Sequence, residues 1–283
     1  CIFGLISSLF VAFTGDEHAF ITARTQPMKL AALEALYDGQ SPSGLVAVGM
    51  VNTDKKPGDG QDACAFKVEI HGILTLLAQR SFTGFVPGIN DLVFGNEKEG
   101  IIGVEEKIRR GKIAVSSLGD YKKAQSAGDK MAASSALTLF DEHRPFLGYG
   151  HLDSAEQAVP PVATTFYAFR IMVGLGTFFI LLFLVYIFLI EKRQLENKPL
   201  ILKLGVLSLF LGYIAQQAGW VVTEIGRQPW AIQDMLPVTI ARSNLDSGTV
   251  MVTFFLFLAL FTALLIAEVK IMTKQISIGP EGE

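Results

Sequence analysis

The chain has little cysteine, no block of like charge and no repeat. Cys1 and Cys64 are its two cysteines in 283 residues, too few for a disulfide framework and too badly spaced for a thiolate metal site. The formal net charge is -3 and no run of five or six basic residues occurs, so the footprint that nucleic acid demands is missing and no nucleic-acid partner is expected. Neither a phosphate-binding loop nor a nucleophile motif is present. Asp54 to Asp62, DKKPGDGQD, lacks the Asp spacing and distal Glu of a calcium loop and reads as a turn-rich connection. Residues 1–14, CIFGLISSLFVAFT, lack a Met and a basic flank, which does not suit a signal peptide. A sequence that opens inside a membrane helix is expected instead, because fourteen residues reach only about 21 Å of a hydrocarbon core roughly 30 Å thick.

Apolar residues are abundant. Half of the chain belongs to the set AVILMFWYC, 18% is charged, and the mean hydropathy is +0.41, a value that places part of the chain in a lipid bilayer. About two thirds of the charged residues lie between Gly15 and Thr165. Three uncharged runs follow, Ile171 to Ile190, Leu204 to Val222 and Gly248 to Ala267, each long enough to cross a bilayer as a helix. Lys192, Arg193, Lys198 and Lys203 crowd the short connection between the first two runs, whereas Arg227 and Arg242 are the only basic residues in the longer one. Positive residues favour the cytoplasmic side. The expected fold class is therefore an all-α integral membrane protein, a transmembrane helix bundle with a large extracytoplasmic loop region. Its expected segments are a partial transmembrane helix 1–14, an extracytoplasmic loop 15–165, a span 166–190, a cytoplasmic loop 191–203, a span 204–224, an outer loop 225–247, a span with its cytoplasmic end 248–274 and a cytoplasmic tail 275–283.

The long outer segment is weakly periodic and reads as a loop-rich cap. Pro27 suits a first helical turn, and Met28, Leu30, Leu33 and Leu36 continue on roughly one face, predicting an amphipathic helix from Pro27 to about Tyr37. A second helix is expected from Val104 to about Val115, with Val104, Ile108 and Val115 on its apolar stripe.

Four stretches carry more than hydropathy: GDEHAF (Gly15 to Phe20), QPMKLAALEALY (Gln26 to Tyr37), FYAFRIMVGLG (Phe166 to Gly176) and GWVVTEIGRQPW (Gly219 to Trp230). In this order the set resembles the C-terminal part of subunit I of the cytochrome bd-type quinol oxidases. That resemblance implies an inner-membrane, respiratory-chain quinol:oxygen oxidoreductase carrying low-spin and high-spin haem b and haem d. The implied partners are membrane quinol, oxygen, the lipid bilayer, subunit II, and either the N-terminal part of subunit I or a separate chain that supplies histidine ligands.

The resemblance also implies roles for single residues. Met172 of FRIMV would ligate the low-spin haem iron, and a soft neutral thioether raises the potential of such an iron; a plain methionine in a helix interface is the ordinary alternative. Gly176, one turn on, would leave room for a flat macrocycle. Arg170 would pair with a haem propionate or stabilise the electron-rich haem, its ordinary alternative being a snorkelling side chain at the mouth of the span. Glu224 would ligate the high-spin haem iron, with Trp220 close to the haems and Arg227 offsetting the carboxylate charge. These three share a face if the helix continues past Glu224. Lys29 and Glu34 would bind and deprotonate quinol, one as donor and one as base. Five residues apart, they stand about 140° apart on a regular helix, and a solvated amphipathic helix would need neither role. The four histidines, His18, His71, His143 and His151, all fall in the outer segment, so the second axial ligand of a Met-ligated haem is expected from elsewhere, and the chain alone is not expected to be competent. The alternative readings are a non-catalytic membrane-anchored sensor or assembly subunit with an extracytoplasmic partner-binding region, or a remnant that keeps the motifs without activity.

Overall fold

The computed structural model describes residues 1–279. The expected tail 275–283 falls partly on them, as the end of the last helix, and its residues 280–283 lie outside the described residues. The chain divides into two compact units, Cys1–Ala241 and a second that begins at Arg242.

In the first unit, α1 (Ile2–Thr25) runs on without a break past Thr14, where the uncharged stretch ends. Its charged continuation is docked rather than solvated: Arg80 pairs with Asp16 at 2.7 Å and Glu17 at 3.3 Å and stacks on the Phe20 ring. Near the start of α1, Gly4 leaves room for the Phe183 ring of α7 (Val162–Glu191), which a Cβ would meet at 2.7 Å. Helix α7 packs in turn on α8 (Pro199–Glu224), and the Tyr186 hydroxyl donates to the Ile201 carbonyl at 2.6 Å across their connection. The second unit is dominated by α9 (Ser247–Ile278), capped by Asp246, whose carboxylate accepts from the Gly248 N–H at 2.9 Å. Helices α7, α8 and α9 are each long and apolar enough to span a bilayer. Leu, Phe and Val side chains project from them unburied, and such surfaces are stable in lipid, not water.

Between α1 and α7 lies a structured cap. Helix α2 (Pro27–Glu34) follows α1 at once. An antiparallel hairpin comes next, β1 (Leu45–Val51) with β2 (Cys64–Ile70), and DKKPGDGQD forms its connecting turn. There the Lys55 ammonium bonds Asp59 at 3.0 Å and the Gln61 carbonyl. Two short helices, α3 (Ile73–Gln79) and α4 (Ile89–Phe94), precede an antiparallel pair, α5 (Val104–Ala127) and α6 (Lys130–His143). Helix α5 extends well beyond the expected end at Val115, because Ala114 and Ser117 keep its buried face going and Gly128, at φ 77°, provides the stop. Asp129 then caps α6, accepting from the Met131 and Ala132 N–H groups. After α8, a small hairpin of β3 (Trp230–Ile232) and β4 (Leu236–Pro237) closes the unit.

The cap core is assembled around α2, which is buried on nearly every side. Leu30 packs with Leu74 and Val86, Ala31 with Tyr37 and Ile89, and Leu33 with Ala168 of α7 and Val222 of α8. This is not a solvated amphipathic helix. It also stops earlier than the expected Tyr37, since Ala35 turns left-handed at φ 48° and its N–H caps Ala31 and Ala32. Tyr37 is freed to bury its ring and donate its hydroxyl to the Lys55 carbonyl at 3.2 Å.

Candidate functional site

Helix α2 ends on Glu34, whose side chain is 2% exposed. A carboxylate this deep is tolerable only if it is paired and hydrogen-bonded. Its Oε2 accepts from Arg170 Nη2 at 2.8 Å and from the Val46 N–H at 3.2 Å. Arg170 reaches it from the third turn of α7, lies over the Phe166 ring at 3.6 Å, and donates as well to the carbonyls of Leu33 and Val46. One guanidinium thereby joins α7, the end of α2 and β1. Burial still outweighs these contacts: the Glu34 carboxyl is pushed up to about 7 from 4.5 by desolvation, with Arg170 and the Val46 N–H pulling down and the Glu69 charge adding to the rise.

Lys29 faces elsewhere, as its 140° offset on α2 dictates. Its Cε stands 3.2 Å from where a Gly226 side chain would begin, at the end of α8. Burial, then the Arg227 charge, holds its ammonium below the usual lysine range, with Glu224 opposing them. Among the described residues Lys29 donates no hydrogen bond, so its polar end is available. Glu224 is the last residue of α8, and Arg227, one turn beyond the helix, bends back to bond it at 2.5 Å. That pair forms although the helix does not continue. Trp220 projects from α8 65% exposed.

Met172, two residues past Arg170, is half-buried with its Sδ against α8, 3.2 Å from where a Cβ of Gly219 would stand. Gly176, one turn on, has open space beside it. The structure therefore gathers two clusters: Glu34 with Arg170, just ahead of Met172, and Lys29 with Glu224 and Arg227. Lys29 and Glu34 do not meet each other, and Trp220 joins neither cluster. Arg170 is thus neither snorkelling nor free for a propionate through its two Nη atoms. Its Nε, like that of Arg227, is buried without a hydrogen-bond partner among the described residues. A buried guanidinium N–H left unpaired calls for an acceptor, and a thioether and a carboxylate beside such donors are a donor set that suits a haem carrying propionates. No cluster of three His, Cys, Asp or Glu residues that could hold a bare metal ion occurs among the described residues, and none of the histidines is on α7, α8 or α9.

Residues that sequence reasoning passed over support this arrangement. Trp230, the last residue of GWVVTEIGRQPW, is buried and packs edge-on against Tyr149 at 4.8 Å. The Tyr149 hydroxyl donates to Asp234 at 2.6 Å, and Lys107 of α5 lies over the same ring. The loop that carries Arg227 is held to the cap by these contacts. Tyr149 and Lys107 had no legible signal, Tyr149 being 85 residues from Asp234 and Lys107 far in sequence from the Tyr149 ring that it covers.

Fold and site together define a helical membrane protein with charged residues gathered where a structured cap meets two apolar helices. The chain belongs to the cytochrome bd terminal oxidase subunit I family, whose family model matches residues 1–280. It is 31% identical over 297 aligned residues to the cytochrome bd-II ubiquinol oxidase subunit 1 of Escherichia coli (strain K12), covering 99% of this chain and 54% of that protein. To the cytochrome bd ubiquinol oxidase subunit 1 of Bacillus subtilis (strain 168) it is 26% identical, covering 99% and 48%. Its fold is similar to that of the bd oxidase from Geobacillus thermodenitrificans, with a TM-score of 0.61 and 23% identity over 98% of this chain and 48% of that one. The chain spans about half the length of the curated relatives it matches.

Proposed function

We propose that this chain is the quinol-oxidising, haem-holding C-terminal part of a terminal oxidase subunit I, with the cap on the outer face of the cytoplasmic membrane. The observation that carries the reading is the seating of α2. Its last residue, Glu34, is tied to Arg170, two residues before Met172, and its Lys29 lies against Gly226, two residues after Glu224. The candidate quinol residues thus stand next to both candidate haem-ligand motifs.

Lys29, buried enough to be a strong donor yet without a protein partner among the described residues, holds one quinol oxygen. Glu34, with a pKa of about 7, accepts a quinol proton at neutral pH, a value suited to a general base. Arg170 keeps Glu34 charged and fixes its orientation. Met172 would hold the low-spin haem b and Glu224 the high-spin haem b, with Arg227 compensating the Glu224 charge. Those groups and haem d supply one-electron transfer and oxygen reduction when bound. Histidine ligands come from residues beyond this chain, with subunit II as the further partner. In the full complex, Lys29→Leu is expected to raise the KM for quinol and Glu34→Ala to lower kcat, both with haem content intact and with oxidation of an artificial donor that bypasses the quinol site retained. Parental quinol oxidation by both variants refutes the reading.

A further inference from the structure

We propose that the cavity between the end of α2 and the β1–β2 hairpin is the proton exit of the quinol site, with Glu69 of β2 carrying protons from Glu34 to the outer solvent. The proposal rests on Glu34 being the quinol base.

Three observations support it. First, Glu34 and Glu69 line the same cavity of about 260 Å³, large enough for several waters. Both bonds to Glu34 fall on Oε2, and Oε1 has no protein hydrogen bond among the described residues, so one oxygen is available to water. Second, the hairpin register aims Glu69 at this place. Glu69 is the cross-strand partner of Val46, the residue whose N–H holds Glu34. Its carboxylate lies across Gly44, in space that any Cβ there would occupy. Third, exposure rises in order along the route: 2% for Glu34, 24% for Glu69 and 49% for Lys67, whose ammonium bonds Glu69 at 2.6 Å. A proton moving that way goes from buried base to open water.

The other groups facing the cavity are unsuited to the task. Outside the lining, Arg170 of α7 remains a cation bonded to Glu34. Lys55 is committed to Asp59 and the Gln61 carbonyl, and Tyr37 donates to the Lys55 carbonyl. Burial pushes both the Tyr37 phenol and the Cys64 thiol up, so each keeps its proton. Asp38 and Asp62 stand exposed at the rim. Besides Glu34, Glu69 is the one partly buried carboxylate in the lining among the described residues. In each transfer a quinol O–H breaks, Glu34 takes the proton, a water chain delivers it to Glu69, and Glu69 releases it to solvent. Two such transfers clear the two protons of one quinol, while its two electrons leave separately to haem iron as oxidant.

The test uses the complete oxidase in membranes. Glu69→Gln is expected to lower kcat for quinol at pH 7 by about tenfold or more, to leave KM within about twofold, and to recover rate as pH rises and water takes the proton directly. Glu69→Asp is expected to restore most of the rate. Gly44→Ala, which displaces the carboxylate without removing it, should slow turnover in the same direction. Artificial-donor oxidation and haem content should stay parental in all three. A parental kcat and pH profile in Glu69→Gln, together with slow turnover in Glu34→Gln, overturns the exit and leaves the quinol reading standing. A parental Glu34→Gln overturns both. Loss of haem, a large change in KM, or an Asp variant as slow as Gln assigns Glu69 a structural role and overturns the exit.

Discussion

Replacing Arg170 by Met keeps the length and packing of the side chain and removes its charge from Glu34. Arg170 is the largest influence holding the Glu34 carboxyl down at about 7 against desolvation. An opposite charge in contact is worth about 1–3 pKa units, so the variant's Glu34 titrates at about 8–10. At pH 7 roughly half of Glu34 is ionised in the parent and between about a tenth and a thousandth in the variant, and quinol turnover falls about 5- to 500-fold. The lost rate returns about tenfold per pH unit until the new pKa is passed. Stability follows the same protons. The folded pKa of Glu34 lies above its unfolded value of 4.5, so its contribution is fully present below pH 4.5 and is lost as pH rises to about 7. With Arg170 gone the loss continues to the higher pKa, about 1.4 kcal/mol for each unit. The assays are kcat for quinol from pH 5.5 to 10 and thermal unfolding over the same range, with the haem spectrum as control. The double variant Glu34→Gln/Arg170→Met, which removes both buried charges, should regain stability to within about 1 kcal/mol of the parent without regaining turnover. An acid limb that stays near pH 7 in Arg170→Met refutes the claim that this ion pair sets the base.

Met172→Leu, which conserves volume and removes sulfur, is expected to lower the midpoint potential of the low-spin haem or convert it to high spin with the fold intact, as redox-titrated visible spectra would report. Glu224→Ala should deplete high-spin haem b and oxygen reduction, and full haem content with normal turnover would return Glu224 to the role of an interfacial ion-pair partner of Arg227. Tyr149→Phe removes the donor to Asp234 and is expected to cost about 1–3 kcal/mol of stability, measured by thermal unfolding. Gly111→Ala, whose new methyl would enter the backbone of Gly150, should cost about 1–3 kcal/mol by overpacking the junction of α5 with the turn after α6.

Much of the architecture was legible because it depends on local composition. Uncharged runs of about twenty residues between Ile171 and Ala267 mark spans wherever they occur, since a bilayer leaves helix as the way to satisfy their backbone. Pro27 opened α2 where a first-turn proline should, and the Gly128–Asp129 pair is a stop followed by a cap. The motif FRIMV placed Met172 and Arg170 on one helix, and GWVVTEIGRQPW placed Glu224 and Arg227 one turn apart. Other features were decided by distance in space. Glu34 and Arg170 are 136 residues apart, and Val46 joins them from a strand that alternation did not announce. Whether α2 is solvated or buried turned on α7, α8 and α3 packing around it, which its own weak periodicity could not express. The burial that lifts Glu34 to about 7, the placing of Lys29 beside the end of α8, and the cavity that joins Glu34 to Glu69 exist only in the assembled protein. Desolvation and charge pairing are set by neighbours in three dimensions, whereas the sequence by itself determines only which residues are able to feel them.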